Sequence, residues 1–375
     1  MSEVLIFSAT TGYRHESIAA GVAAMRELAT ADGYAVDATE DPGVFTPDNL
    51  ARYAAVVFMN SSGTVFDDAG RSALRSYVGA GGGYVGVHLA AGTEYDWPYY
   101  GGLVGAFFDA HPQVQPAAFE VEDRTHPATA HLPRRWERVD ELYNYRSNPR
   151  PDVHVLITLD ESSYSGGTMG TDHPITWCHR YEGGRAFYTG AGHTIESYDE
   201  PAFRTLLLGG LRYAAGTAYA DDRPEHGYVP LEAGDVADWS SPERSDWSSP
   251  ERSGWSSPER SDWSSPERSG RCSVKFGWRD AGKGGSARIG VPDSVDPTDA
   301  ARSGGYEIRL DDPTAPLNAV GEWNTYEISI ADDRAEAYVN GVRTLRVDGG
   351  VPAGRIWLGS AGDGCFRDIR VRREV

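Results

Sequence analysis

Between residues 238 and 269 the chain repeats one octapeptide, [DG]WSSPERS, four times, beginning at Asp238, Asp246, Gly254 and Asp262. Each copy carries a proline, which denies its residue a helical hydrogen bond, and each supplies one tryptophan against a majority of Ser, Glu and Arg. Such a stretch buries too little apolar surface to offset the entropy of ordering it, roughly 1–2 kcal/mol per residue for the backbone alone. It therefore reads as a linker, and the chain on either side must build its own core. The alternative is that Trp239, Trp247, Trp255 and Trp263, one in each copy, form a row that stacks on sugar rings. The boundaries that follow are an N-terminal domain over 1–220, a linker over 221–270 and a C-terminal domain over 271–375.

The two flanks differ in period. Residues 3–216 alternate short β-rich runs with helical patterns, the signature of an α/β, doubly wound parallel sheet covered on both faces. The runs VLIFSA (4–9), AVVFMN (55–60) and YVGVH (84–88) are continuously apolar up to their polar ends, as strands buried on both sides should be. Between them Ile18, Val22, Met25 and Ala29 recur at helical spacing, and Leu74, Tyr77 and Val78 follow the acidic start Asp67-Asp68. A last helix places Phe203, Leu207, Leu211 and Ala214 on one face and stops at Gly216. Residues 271–375 switch to period-two patterns such as YEIRL, TYEISIA and FRDIRVRR, with the hairpin signal Asn340-Gly341, and predict an all-β domain.

Charge narrows the partners. The chain holds 55 acidic against 35 basic residues, a formal charge of −20, with no basic block, which argues against nucleic acid and against an anionic membrane. No run of apolar residues is long enough to span a bilayer and the start lacks a basic n-region, so the expectation is a soluble, cytoplasmic protein. Cys178, Cys272 and Cys365 are scattered, odd in number and without metal-type spacing, and are expected to be buried or incidental thiols.

In a doubly wound sheet, ligands bind outside the carboxyl ends of the strands. His88 ends one strand, His15 lies in the TTGYRH loop after the first, and Asn60-Ser61-Ser62 follows the third. The turn G-V-H-L-A, Gly86 to Ala90, has nearly the spacing of a nucleophile elbow, with imidazole in the nucleophile's place.

The stretches TGYRHES, GGGYVGVHLAAGTEYDWPYYGGLVGAFFDAHP, THPATAHLP, DELYNYRSNPR, VLITLDESSY and GTDHPITWCHRYEGGRAFYTGAGHTIESY resemble the ThuA (trehalose utilisation) family over about residues 3–216. The resemblance implies a flavodoxin-like fold similar to class I glutamine amidotransferases but without their catalytic cysteine, and a part in disaccharide use, including 3-keto derivatives. Histidine suits the proton transfer that such a keto sugar requires. The candidates for catalysis are His88 and His15 as acid and base, with Glu141 and His193. The candidates for substrate contact are Tyr13, Asn60, Ser61, Trp97, Tyr99, His111, His173, Trp177 and Tyr188. His111 and His173 precede proline, where a histidine can serve a turn, and Trp177 and Tyr188 lie in strand-like runs, where core packing competes with sugar contact. No cofactor is expected, and a nicotinamide is argued against because no G-x-G-x-x-G opens the first helix. The histidines and Glu141 could instead ligate a divalent metal, although no H-E-x-x-H motif accompanies them.

The tail carries a second resemblance. VKFGWRDAGKGGSARIGVPD, GGYEIRLDD, GEWNTYEISI, VNGV and FRDIRV are similar to the 3-keto-disaccharide hydrolase family, which implies a concanavalin-like β-sandwich with Glu307 and Asp311 on the sugar-facing sheet. GGSARIG stands where that family has SNSG, and the octapeptide repeat stands where its first strands should be, so a truncated sandwich with an unpaired edge is expected. Two classes of function follow: an enzyme acting on a disaccharide or its 3-keto form, as a hydrolase, lyase or isomerase, or a non-catalytic protein that binds a small-molecule sugar.

Overall fold

The computed structural model describes residues 2–225, 229–230, 263–264, 272–280, 282, 284–291, 306–331, 334–348, 355–360 and 365–373. The first three repeat copies, and with them the linker reading, lie outside the described residues. The chain divides into two compact units, residues 1–218 with 222–225, and residues 219–221 with 226–375. Among the described residues no helix is long and apolar enough to cross a membrane.

The first unit is built on one nine-stranded sheet. Its elements in chain order are β1 (Glu3–Phe7), α1 (Ile18–Ala31), β2 (Ala35–Thr39), α2 (Pro47–Leu50), β3 (Tyr53–Met59), α3 (Asp68–Gly79), β4 (Gly83–Val87), α4 (Pro98–Val104), β5 (Phe108–Ala110), β6 (Gln115–Val121), β7 (Arg135–Asp140), β8 (Asn144–Tyr145), β9 (His154–Leu159), β10 (Pro174–Tyr181), β11 (Gly184–Thr189) and α5 (Pro201–Ala214). Strands β2-β1-β3-β4-β11 run parallel, in the flavodoxin-like order. Their apolar runs are buried on both faces, from Val4–Phe7 through Ala55–Met59 to Val85 and Val87. Helix α3 begins where Asp67 accepts the Gly70 N–H, and α5 buries Phe203, Leu207, Leu211 and Ala214 before Gly216 turns left-handed at φ 75°.

The sheet then continues as β10-β9-β6-β7, all antiparallel, so it is mixed rather than wholly parallel as the sequence pattern predicts. The reason is local. β10 and β11 are joined by Glu182-Gly183, with Glu182 left-handed at φ 48°, and so short a link makes a hairpin and leaves no room for a crossover helix. At the far edge β7 buries alternate residues, Trp136, Arg138 and Asp140, the pattern of a strand covered on one face. β5 and β8 form a separate two-stranded ribbon.

The second unit is an antiparallel sandwich. Its strands are β12 (Val229–Pro230), β13 (Trp263–Ser264), β14 (Cys272–Arg279), β15 (Gly285–Val291), β16 (Tyr306–Arg309), β17 (Trp323–Ile330), β18 (Arg334–Val339), β19 (Val342–Asp348), β20 (Arg355–Ser360) and β21 (Cys365–Arg373). They form a six-stranded sheet, β12-β21-β14-β17-β18-β19, and a four-stranded one, β13-β20-β15-β16. Phe276, Trp278, Tyr326, Ile328, Ile289 and Leu358 lead the core between them. The fourth repeat copy departs from the linker reading: Trp263 and Ser264 pair with Leu358 and Trp357, so part of the place of the missing first strands is taken by the repeat itself.

Candidate active site

Three loops leave the carboxyl ends of the parallel strands and bring imidazoles to one point. His15 comes from the loop after β1, His88 from the turn after β4, and His193 from the loop after β11. Their rings lie edge to face, with centroids 4.8 Å apart for His15–His88, 4.9 Å for His15–His193 and 5.4 Å for His88–His193. Glu141, just past β7, closes the group. Its Oε2 lies 3.3 Å from His88 Nε2 and 3.1 Å from His193 Nδ1, and its Oε1 lies 2.9 Å from Nδ1 of His111.

The elbow reading of Gly86 to Ala90 holds in backbone geometry: His88 sits at φ 51°, a left-handed conformation that disfavours a side chain by about 1–2 kcal/mol. Three contacts offset it. His88 Nδ1 lies 2.6 Å from the Gly190 carbonyl, Tyr188 donates its hydroxyl to the His88 carbonyl at 2.8 Å, and Asn60 Oδ1 accepts the Leu89 N–H at 3.3 Å. The ring also stacks on Tyr143 at 4.0 Å. A carbonyl only accepts, so Nδ1 carries a proton, and Nε2 is the nitrogen that faces Glu141.

The expected placement of His88 and His15 beside each other is observed, but not at a crevice edge: they are 0 % and 4 % exposed and form a floor. Access is from the other side, where His193 and His111 are 24 % and 43 % exposed at their side chains. Burial, and then the like charge of His88 and His193, draws His15 down to about 3, so it is a neutral imidazole. Burial alone would raise Glu141, but the facing imidazoles of His193 and His88 hold it well below the ordinary carboxylate range. The short contact with Glu141 in turn raises His193. His15 Nδ1, His88 Nε2 and His193 Nδ1 are all buried without a hydrogen-bond partner, each leaving about 1–3 kcal/mol of desolvation uncompensated.

Of the other expected contacts, Tyr13 stands at the site, 66 % exposed with its ring edge-on to His15 at 4.8 Å. Asn60 and Ser61 do not face substrate. Both are buried, Asn60 bracing the elbow and bonding Tyr198, and Ser61 bonding Thr93. His173 is likewise internal, held by Glu161, by the Tyr164 hydroxyl and by the Tyr143 carbonyl, and so supports the residue that stacks on His88. Trp177 is fully buried with its indole N–H on the Val104 carbonyl, and Tyr188 lies beneath the elbow. In both the apolar ring fills the sheet's covered face. Trp97 and Tyr99 stack on each other and carry the guanidinium groups of Arg71 and Arg75, away from the histidine group. Glu307 is exposed on β16 and Asp311 pairs with Arg309 at 3.0 Å, both in the second unit.

Sequence reasoning missed Asp140. Its buried carboxylate accepts the N–H groups of Glu141 at 2.9 Å, Gly192 at 2.8 Å and His193 at 3.0 Å, and so fixes two members of the site at once. The signal that could have found it was an acid on the inward register of RWERVD. Tyr143 and the Gly190 carbonyl were also missed; a backbone carbonyl leaves no trace in composition.

At its strand ends this open α/β sheet gathers four imidazoles around one carboxylate, with a histidine where an elbow would carry a nucleophile. Residues 3–214 match the trehalose utilisation (ThuA) family, and the chain belongs to it. Residues 262–372 match a 3-keto-α-glucoside-1,2-lyase-like domain. Among solved structures, a ThuA-like protein from Bacteroides uniformis is 26 % identical with a TM-score of 0.50, over 57 % of this chain and 91 % of its own. Another from Parabacteroides merdae is 21 % identical with a TM-score of 0.50, over 58 % of this chain and 90 % of its own, and shares the fold. No curated protein matches the chain.

Proposed function

We propose that this protein processes a disaccharide or its 3-keto form by proton transfer at the carbon beside the keto group, with His111 and Glu141 as the working pair. One observation carries the reading. His111 Nδ1 lies 2.9 Å from both Glu141 Oε1 and the Pro112 carbonyl, two acceptors, so in the neutral ring the proton sits on Nδ1 and the lone pair on Nε2, and the side chain is 43 % exposed at the open side. In such a pair Nε2 takes the proton and Glu141 steadies the imidazolium that forms. Tyr13 offers a flat, solvent-facing ring to the sugar. The families matched by both halves of the chain are named for sugar chemistry, trehalose utilisation in one and 1,2-lyase action on 3-keto-α-glucosides in the other, which favours a keto sugar over other carbonyl substrates.

The test is incubation of the full chain with a panel of disaccharides and their 3-keto derivatives, followed for loss of substrate. Turnover of a 3-keto glycoside is expected, falling about a hundredfold to ten-thousandfold in His111→Asn, which keeps a hydrogen bond but cannot exchange the proton. Saturable binding without turnover would make the chain a sugar-binding protein instead. Unchanged turnover in His111→Asn would remove His111 from the chemistry.

A further inference from the structure

We propose that His15, His88, His193 and Glu141 together hold one divalent cation of the zinc class. Their ligand atoms, one from each residue, lie within 4.8 Å of one another, and no other such group occurs among the described residues. Ligand atoms around a tetrahedral ion, with bonds of about 2.1 Å, are about 3.4 Å apart; Glu141 Oε2 already stands 3.3 Å from His88 Nε2 and 3.1 Å from His193 Nδ1, and the wider pairs close by side-chain movement of about 1 Å. Three nitrogens and one carboxylate oxygen are a donor set suited to Zn²⁺, with Mn²⁺ and Co²⁺ as competitors.

Spacing alone would not carry this; the orientation of the nitrogens does. His88, with Nδ1 given to the Gly190 carbonyl, turns Nε2 on Glu141 Oε2 at 3.3 Å, buried and without a hydrogen bond. His193 Nδ1 is 3.1 Å from the same oxygen yet does not form a hydrogen bond with it, and His15 Nδ1 has no partner at all. A histidine serving only the fold looks different in this same domain. His173 engages both ring nitrogens, and His154 does so with the Arg223 carbonyl at 3.0 Å and Asp123 at 2.8 Å. His126 and His179 each leave one nitrogen bare, but singly, without converging on others.

The surroundings also fit a ligand shell. The Gly190 carbonyl fixes the His88 tautomer through Nδ1, which leaves Nε2 for an ion, the usual second contact of a metal-bound histidine. Glu141 divides its two oxygens: Oε2 faces His88 and His193, while Oε1 faces His111, which stays outside the set and free to exchange a proton. The proposal deepens the sugar reading above and rests on it in one respect only, that adjacent oxygens of the keto sugar would fill the positions left on the open side.

The full chain, stripped with a chelator and dialysed, is titrated with Zn²⁺ by calorimetry and with Co²⁺ by visible absorption. The expectation is one ion per chain, a rise in melting temperature on addition, and a Co²⁺ ligand-field band typical of low coordination. Glu141→Gln and His15→Asn, both close in shape to the native residue, should each weaken binding at least tenfold and shift or abolish the band, while exposed His131→Asn should not. If a variant fails to fold, as judged by circular dichroism before metal is added, the other and the wild-type spectrum decide. No saturable binding of Zn²⁺, Mn²⁺ or Co²⁺, or binding unchanged in both variants, would overturn the proposal. Metal binding without sugar turnover would leave the site standing and remove the keto-sugar reading; turnover in chelator with no bound metal would do the reverse.

Discussion

Replacing Asp140 by Asn should unfold the first unit far more readily than an isosteric change at a strand end would normally do. The Asp140 carboxylate is fully buried and accepts three backbone N–H groups, while its Oδ2 lies 3.2 Å from Nη2 of the buried Arg138. In the Asp140→Asn variant the remaining oxygen can keep the two bonds made by Oδ1, to Glu141 and His193. The new –NH₂ then meets the Gly192 N–H and the guanidinium, donor against donor. One charge-assisted bond is lost, worth about 1.5–3 kcal/mol. Arg138, whose ring neighbours are Phe119, Trp136 and Phe203, keeps the neutral Ser197 hydroxyl at 2.9 Å but only one charged partner, Glu200, which is 29 % exposed and 3.2 Å away. Stranding a buried charge brings the total to about 3–5 kcal/mol, a large part of the roughly 5–15 kcal/mol that holds a domain folded. For a domain of this size that is a fall of about 6–20 °C in melting temperature. Among the described residues every α-helix lies within 1–225, so helical ellipticity in urea follows this unit without interference from the β-sandwich. Glu200→Gln is the control and should change stability by under about 1 kcal/mol, since its contact with Arg138 is partly open to water. A loss below about 1 kcal/mol in Asp140→Asn would show that the Arg138 network does not hold the site loop.

Acid should destabilise the first unit through His126, fully buried and drawn down to about 3 chiefly by burial. The unfolded chain takes up this proton below its ordinary value of 6.5 and the folded chain refuses it until about 3, so stability is lost as pH falls through that window, by about 2 kcal/mol at about pH 5; unfolding of wild type and His126→Asn at neutral and acid pH should show the difference. Glu94→Gln should lower stability by about 2–4 kcal/mol in the same denaturation assay, because its buried carboxylate accepts the Val65 and Phe66 N–H groups and pairs with Arg71 at 2.6 Å. Asn60→Ala should lower it by about 2–3 kcal/mol, since Ala must adopt φ 53° and leaves the Leu89 N–H without its acceptor, whereas Asn60→Gly should recover the backbone part of the loss.

What could be read from the sequence follows from range. The strands 4–9, 55–60 and 84–88 appear at Glu3–Phe7, Tyr53–Met59 and Gly83–Val87, because a doubly covered strand declares itself in a few consecutive apolar residues. Asn340-Gly341 turns with φ 47° and 79°, as two residues that accept left-handed backbone should. The elbow was legible because a glycine-flanked turn after such a strand has few alternatives. The antiparallel half was not, since β6, β9 and β10 are joined by register over long separations and their one-sided or two-sided burial depends on the neighbour. The same holds for Trp177 and Tyr188: an aromatic in a strand points to core or crevice according to which face the helix α4 covers, and that is decided by the Val104 carbonyl, some seventy residues away. His15, His88, Glu141 and His193 were each recognisable by type, but that Glu141 would divide its two oxygens between a buried pair and an exposed ring is a property of loop closure.

The elbow at His88 keeps the backbone of a nucleophile turn and reverses its use. In a hydrolase that turn exists to expose one atom, and the strain of the left-handed residue is tolerated because the side chain must reach substrate. Here the residue at the same strained φ is wholly buried, clamped by Gly190 on one nitrogen and stacked on Tyr143. A side chain in that position can influence chemistry only through what its remaining nitrogen faces, and Nε2 faces Glu141 and the neighbouring imidazoles. The left-handed backbone at His88 therefore aims Nε2 at Glu141. Exchange with solvent passes to the loops above, where His111 and His193 are open, and the two levels of the site meet at the two oxygens of one carboxylate.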